Sequence, residues 1–146
     1  MIIELEPYVP DLEKPPAIIC DIDGTLAHAT RDYHDYSLVH TDALDTKVRD
    51  LLDREWACGY DIIILTGRPV TCRKDTYRWL VDNHVPVDAL LMSPPRSEDY
   101  IAKYDLFNKY VRAEYNVEYV LDDRDRVVEM WRKLGLKTFQ VAEGNF

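Results

Sequence analysis

Five short β-rich runs recur along the chain with room for a helix between neighbours: AIIC at 17–20, YDIIIL at 60–65, VDALLM at 87–92, VEYVL at 117–121 and LKTFQV at 136–141. Strands joined by crossovers of a dozen or more residues pair in parallel, so this alternation implies an α/β fold: a central parallel sheet of five strands between helical layers, a Rossmann-like three-layer sandwich. At 146 residues the chain suits one domain. Residues 1–16 are acidic, contain four prolines and read as an extended N-terminal arm; residues 17–146 read as the folded domain.

Apolar spacing and end signals place the helices. Thr41 or Asp42 is expected to cap the first, with Leu44, Val48, Leu51 and Leu52 on one face and Gly59 past its end. Thr71 caps the second, which turns Tyr77, Leu80 and Val81 inward. The third covers 99–115 and the fourth 124–134, where Gly135 stops it. Residues 24–40, GTLAHATRDYHDYSLVH, show no clear period, and so long a connection inside a small domain is usually functional. It reads as a small flap over a site, and no stretch leaves room for a large cap domain.

Composition excludes several classes. Lys and Arg total 18 against 27 Asp and Glu, a net charge of −9, which argues against a protein that coats nucleic acid and limits any such contact to a short local one. Three cysteines without CxxC spacing imply neither a disulfide framework nor a structural zinc, and suit a reducing compartment. No run could span a bilayer, so the expectation is a soluble, cytoplasmic protein with no membrane partner.

Chemistry concentrates at strand ends. The first strand ends in DIDGT, Asp21 to Thr25, and the fourth in Asp122-Asp123. Asp21 and Asp23, two apart, share a face, and carboxyl ends of parallel strands lie on one edge, where α/β folds bind ligands. Carboxylates gathered there repel one another unless a cation joins them, and hard oxygen donors favour Mg²⁺, held by Asp21, Asp23, Asp122 and Asp123. A metal beside a free carboxylate suits phosphoryl transfer. Asp21 is then the nucleophile, and Asp23 the acid that protonates the leaving oxygen and the base that activates water. Gly24 lets backbone amides approach the phosphate. Thr66 and the amides of LTGRP, Gly67 among them, serve the same phosphate, and Lys103 balances its charge.

These elements, in this order, resemble the haloacid dehalogenase superfamily of aspartate-nucleophile phosphohydrolases. DIDGTLA, HTDALDTKV, DYIAKYDLF and the segment DDRDRVVEMWRKLGLKTFQVAEGNF are similar to the 3′-phosphatase domain of bacteriophage polynucleotide kinase/phosphatase, over Ala17 to Phe146. The resemblance implies an Mg²⁺-dependent phosphomonoesterase that removes 3′-phosphates from DNA or RNA ends, with 2′,3′-cyclic phosphates and nucleoside 3′-monophosphates as further substrates. It implies Asp21 as nucleophile and ligand, Asp23 as acid/base and a ligand through its carbonyl, Asp122 as a direct ligand and Asp123 as a water-mediated one. Arg31, Arg68, Asp99 and Lys103 match further essential positions. A separate kinase or ligase partner is compatible with it, and a phage-borne gene would place the protein in the host cytoplasm. No GxxxxGK[ST] P-loop occurs in the sequence, so no 5′-kinase activity is expected of it.

Two alternatives stay open: a phosphatase for free nucleotides or other small phosphate esters, and a receiver-like domain that accepts phosphate for signalling. Asp23 separates the second, because a receiver keeps its phosphoaspartate whereas a neighbouring acid/base discharges it. Arg31, Arg68, Arg73, Arg96, Lys103 and Arg124 fall where they could form a positive rim, although Arg73, Arg96 and Arg124 read more simply as surface ion pairs. Tyr33, His34 and Tyr36 are candidates for stacking on a base; the three tryptophans read as packing, His28, His40 and His84 lack metal-ligand spacing, and Cys20 reads as a buried strand residue. Oligomeric state is left open.

Overall fold

The computed structural model describes residues 3–146. Its strands are β1 (Pro16–Cys20), β2 (Ala27–His28), β3 (Ala43–Leu44), β4 (Asp61–Pro69), β5 (Ala89–Ser93), β6 (Asn116–Asp122) and β7 (Thr138–Gln140). Its helices are α1 (Thr46–Ala57), α2 (Arg73–Asp82), α3 (Asp99–Tyr110) and α4 (Asp125–Leu134). Five strands form a parallel sheet in the order β5-β4-β1-β6-β7, so β1 lies at the centre with β4 and β6 on its flanks.

Alternation along each strand sends neighbouring side chains to opposite layers. Ile19, Ile63, Leu65 and Val120 join Tyr104, Phe107, Val127 and Trp131 of α3 and α4, together with Tyr8 of the arm. Ile18, Ile62, Ile64 and Leu121 join Val48, Leu52, Trp79 and Leu80 of α1 and α2 on the other face. The arm is therefore anchored, and Tyr8 also donates its backbone N–H to the Leu134 carbonyl at 2.9 Å. The expected three-layer sandwich with a small flap and no large cap is present.

The differences from the sequence reading lie around the flap and on α2. Residues 27–28 and 43–44 close into a two-residue antiparallel ribbon with a 3₁₀ turn over Tyr36–Thr41 between them, elements too short to leave a period. Leu44 belongs to that ribbon, and the cap of α1 is Asp45, whose carboxylate accepts from the Val48 N–H at 3.1 Å; Thr41 and Asp42 close the 3₁₀ turn instead. Another 3₁₀ turn, Val70–Cys72, occupies the place where Thr71 was expected to cap α2. Tyr77 and Val81 face outward, and α2 buries Thr76, Trp79 and Leu80. The rotation has a polar cause: Thr76 Oγ1 accepts from a buried arginine, and Trp79 Nε1 donates to the Asp42 carbonyl. α3 stops at Tyr110, short of 115. β4 runs on to Pro69, so Thr66, Gly67 and Arg68 lie within an irregular strand end and not in a loop beyond it.

Candidate active site

The carboxyl ends of β1 and β6 lie side by side, and the Asp21 N–H donates to the Leu121 carbonyl at 3.0 Å. Asp122 and Asp123 end β6 on the same edge. Oxygens of Asp21, Asp122 and Asp123 come within 4.8 Å of one another, and all three residues are buried. The Lys103 ammonium, 1% exposed, donates to Asp21 Oδ1 at 2.9 Å and to Asp122 Oδ2 at 2.8 Å. Lys103 projects from the first turns of α3, whereas Lys109 on the same helix is exposed.

Three carboxylates face one ammonium, and the imbalance shows in their titration. Burial and the neighbouring Asp122 charge push the Asp21 carboxyl well above its usual range, and burial raises Asp123. Burial would lower the Lys103 ammonium, but Asp122 and Asp21 overcome it and hold the group well above its ordinary value. The set offers hard oxygen donors with unbalanced negative charge, which fits a divalent cation such as Mg²⁺. Thr25, not singled out from the sequence, donates across the cluster, with Oγ1 at 3.3 Å from both Asp21 Oδ2 and Asp123 Oδ1. Trp131 Nε1 lies 3.3 Å from Asp122 Oδ2 and fixes that carboxylate from below.

Asp23 stands apart from this cluster. Its two oxygens accept from Arg68 Nε at 2.9 Å and Nη2 at 2.8 Å, a bidentate pair. Arg68 also donates to Asp42 Oδ2 at 2.7 Å and to Thr76 Oγ1 at 3.2 Å, so every nitrogen of its buried guanidinium has a protein partner. Burial would lower Arg68, but the hydrogen-bonded Asp23 raises it above its ordinary value. Arg31 donates to Asp42 Oδ1 at 2.9 Å and to the Asp32 and Tyr33 carbonyls, which folds the flap around its own guanidinium. Both arginines, expected on substrate, pair with carboxylates of the protein, and Asp42 is the buried carboxylate that joins them. Its sequence setting, HTDAL, looked like a helix start, and nothing local signals the arginines it meets.

A cleft of about 240 Å³ opens beside these groups, bordered by Asp21, Asp23, Gly67, Asp99, Asp123 and Arg124 among others. Thr66, next to Gly67 of the cleft lining, is fully buried and accepts the Arg68 backbone N–H at 3.1 Å, leaving its own hydroxyl proton to donate. Gly24 combines φ of +82° with a position where a Cβ would lie 2.1 Å from Asp123 Oδ2, so no larger residue fits. Its own N–H donates to the Ala27 carbonyl at 2.9 Å, closing the turn after β1. Asp99 receives Arg124 Nη1 at 3.2 Å on one oxygen, while the other, buried against Gly67, has no partner.

The expected arginine rim is narrower than the sequence suggested. Arg124 and Arg126 border the cleft, paired with Asp99 and Glu98, whereas Arg73 donates to the Leu90 carbonyl and Arg96 is exposed and does not line it. Trp79 and Trp131 are buried and Trp56 is exposed; Cys20, Cys58 and Cys72 are free thiols. Among the described residues no helix is long and apolar enough to cross a membrane.

Residues 15–146 match the model of a family described as the polynucleotide kinase PNKP phosphatase domain. A protein of Autographa californica nuclear polyhedrosis virus, named as a bifunctional polynucleotide kinase/RNA ligase, is 37% identical over 141 residues, covering 91% of this chain and 20% of its own length. A chain of the Pnkp1/Rnl/Hen1 RNA repair complex superposes with a TM-score of 0.92 at 39% identity, over 97% of this chain and 47% of its own. A haloacid dehalogenase-like hydrolase from Streptococcus pneumoniae, 15% identical with a TM-score of 0.59 over 86% of this chain and 83% of its own, shares the fold. This chain therefore spans a fifth of the viral relative and about half of the repair-complex chain.

Proposed function

The chain belongs to the polynucleotide kinase phosphatase family, and from that premise we propose that it removes 3′-phosphates from nucleic-acid ends through a phosphoaspartate on Asp21. The observation that carries the reading is the meeting of Asp21, Asp122 and Lys103 at two adjacent strand ends, with Asp23 fixed beside them by Arg68. Acids from β1 and β6 would have had no common chemistry had they faced apart.

The Asp21 carboxylate attacks phosphorus, the bond from phosphorus to the 3′-oxygen breaks, and Asp23 gives its proton to that oxygen. Asp23 then takes a proton from water, whose oxygen attacks the same phosphorus, releasing phosphate and restoring Asp21. Arg68 aims Asp23, and its own ties to Asp42 and Thr76 keep that aim fixed. Lys103 offsets charge on Asp21 and on the transferring group, and the Thr66 hydroxyl and the Gly67 amide are the groups this reading assigns to its oxygens. Asp21, Asp122 and Asp123 would hold Mg²⁺, which when bound neutralises phosphate oxygens against this acidic floor. Arg124 and Asp99 shape the cleft wall, and Arg31 acts through the flap.

A phosphatase family is no setting for a receiver-like signalling domain, the alternative raised from the sequence. The viral relative's name pairs kinase and RNA ligase, and the solved relative belongs to an RNA repair complex, so we extend the reading to RNA ends and to work beside separate kinase and ligase activities. The test is phosphate release from a 3′-phosphorylated oligonucleotide, its 5′-phosphorylated counterpart, nucleoside 3′-monophosphates and an aryl phosphate, each with Mg²⁺ and with chelator. The 3′ substrates should lead and chelator should stop them; preference for the 5′ or aryl ester overturns the reading.

A further inference from the structure

The cleft described above adjoins a second hollow of about 400 Å³ that runs along Gly24, His28, Ala29, Ala142 and Glu143. Four residues border both: Asp23, Asp123, Tyr33 and Phe146. Asp123 is buried, whereas Tyr33 is 42% and Phe146 60% exposed, so the seam between the hollows has carboxylates at its floor and two rings at its mouth. One ring comes from the flap, the other from the segment after β7.

Neither ring is left loose. Arg31 Nη1 donates to the Tyr33 carbonyl at 2.6 Å, and the His34 ring stands edge-on to Tyr33 with centroids 5.1 Å apart. Arg124 Nε donates to the Phe146 carbonyl at 2.8 Å, and the guanidinium lies 5.3 Å from the Phe146 centroid. Gly144, two residues before Phe146, packs so tightly on Asp123 that a Cβ there would lie 1.8 Å from its carbonyl oxygen. Tyr36, the other aromatic candidate of the flap, is half-buried with the Arg31 guanidinium 5.7 Å from its ring.

We propose that Tyr33 and Phe146 form a stacking site for the base of the terminal nucleoside, with the 3′-phosphate of that nucleoside at Asp21. The proposal rests on the phosphatase reading and narrows its substrate to ends whose last base is free to leave a duplex. Charge explains the need: a chain of net charge −9 repels a polyanion, so an attachment that does not depend on phosphate must hold the end in place. Aromatic rings supply one for any of the bases, because each base has a π face. Two ordered rings kept out of the core at the mouth of an acidic seam are placed for that contact.

The test compares kcat and KM on two single strands identical except at the 3′-phosphorylated end, one carrying a base and the other an abasic residue. The intact protein should favour the base-bearing end by about tenfold, chiefly in KM. Phe146→Ala and Tyr33→Ala should each shrink that ratio towards one, and Phe146→Trp should retain it. Equal KM for both ends in the intact protein, with 3′-phosphate still released, overturns the stacking site and leaves the phosphatase reading standing. Preference for a 5′-phosphate overturns both. The intact-protein comparison decides the matter even if a variant fails to fold.

Discussion

Two buried charge clusters meet at the same cleft, one through Asp21 and Asp123 and the other through Asp23, and they are balanced differently. Lys103 faces three carboxylates, Asp21, Asp122 and Asp123, so that cluster keeps an excess of negative charge. Arg31 and Arg68 face two, Asp23 and Asp42, and neutralise them within the protein. A cluster with uncancelled charge in a poorly solvated place takes up a charged ligand; one that cancels internally fixes geometry. On the proposed function the difference divides labour: the lysine side would do the chemistry, and the arginine side would aim the acid/base.

Removing the proposed nucleophile should give the largest effect. Asp21→Asn should lose on the order of 10⁴-fold or more in turnover, because an amide cannot form the phosphoaspartate, while circular dichroism and melting stay near those of the intact protein. Burst experiments that trap phosphorylated protein should give a signal only when Asp21 is present. Retained turnover in Asp21→Asn would move the chemistry to the other cluster.

Cutting the arginine side should cost fold and activity together. Asp42→Ala leaves two buried guanidinium groups with one carboxylate between them, a loss of roughly 3–5 kcal/mol in denaturant melts. The milder Asp42→Asn keeps the shape and should lower kcat by about 100-fold through misplacement of Asp23, with little change in KM. If Asp42→Asn keeps full activity, the arginine side is scaffold alone and the division above fails.

Cation binding separates the clusters more directly. Mg²⁺ at about 100 times its dissociation constant should stabilise the protein by about 2.7 kcal/mol, roughly 5–10 °C in melting temperature. Asp122→Asn or Asp123→Asn should erase most of that shift. Asp42→Asn should retain it, even from a lower starting point. A shift that follows Asp42 in place of Asp122 would reverse the assignment.

How much of this could be read from the chain depended on whether a signal was local. Asp21, Asp23, Asp122 and Asp123 stand at the ends of apolar runs, and parallel pairing brings such ends together whatever the details of packing. Lys103 was reachable because it sits in the first turns of a helix that follows a strand on that edge. Asp42 was not, since its partners lie 11 and 26 residues away in sequence and meet it only when α2 closes over the flap. The same closure turned Thr76 inward and defeated the apolar pattern expected of Tyr77 and Val81. Phe146 carried no signal either, because its place depends on how Gly144 packs against Asp123.

The smallest effect comes from a carboxylate–imidazole contact that lies outside both clusters. Asp45 caps α1 through the Val48 N–H and accepts from His28 Nε2 at 2.9 Å, near the surface. Partial burial pushes its carboxyl up, but the hydrogen bonds from His28 and the Val48 amide outweigh that and bring it below its ordinary value of 3.8. A carboxyl whose folded value is depressed stabilises above its unfolded value, and the benefit is lost as pH falls through the folded one. Asp45→Ala should therefore cost about 1 kcal/mol at neutral pH, and the gap to the intact protein should close as melts are repeated below pH ~4. A gap that stays constant into acid would mean that the cap works through the hydrogen bond of its side chain and not through its charge. Set beside Asp42→Ala, the pair measures what burial adds to one and the same chemistry.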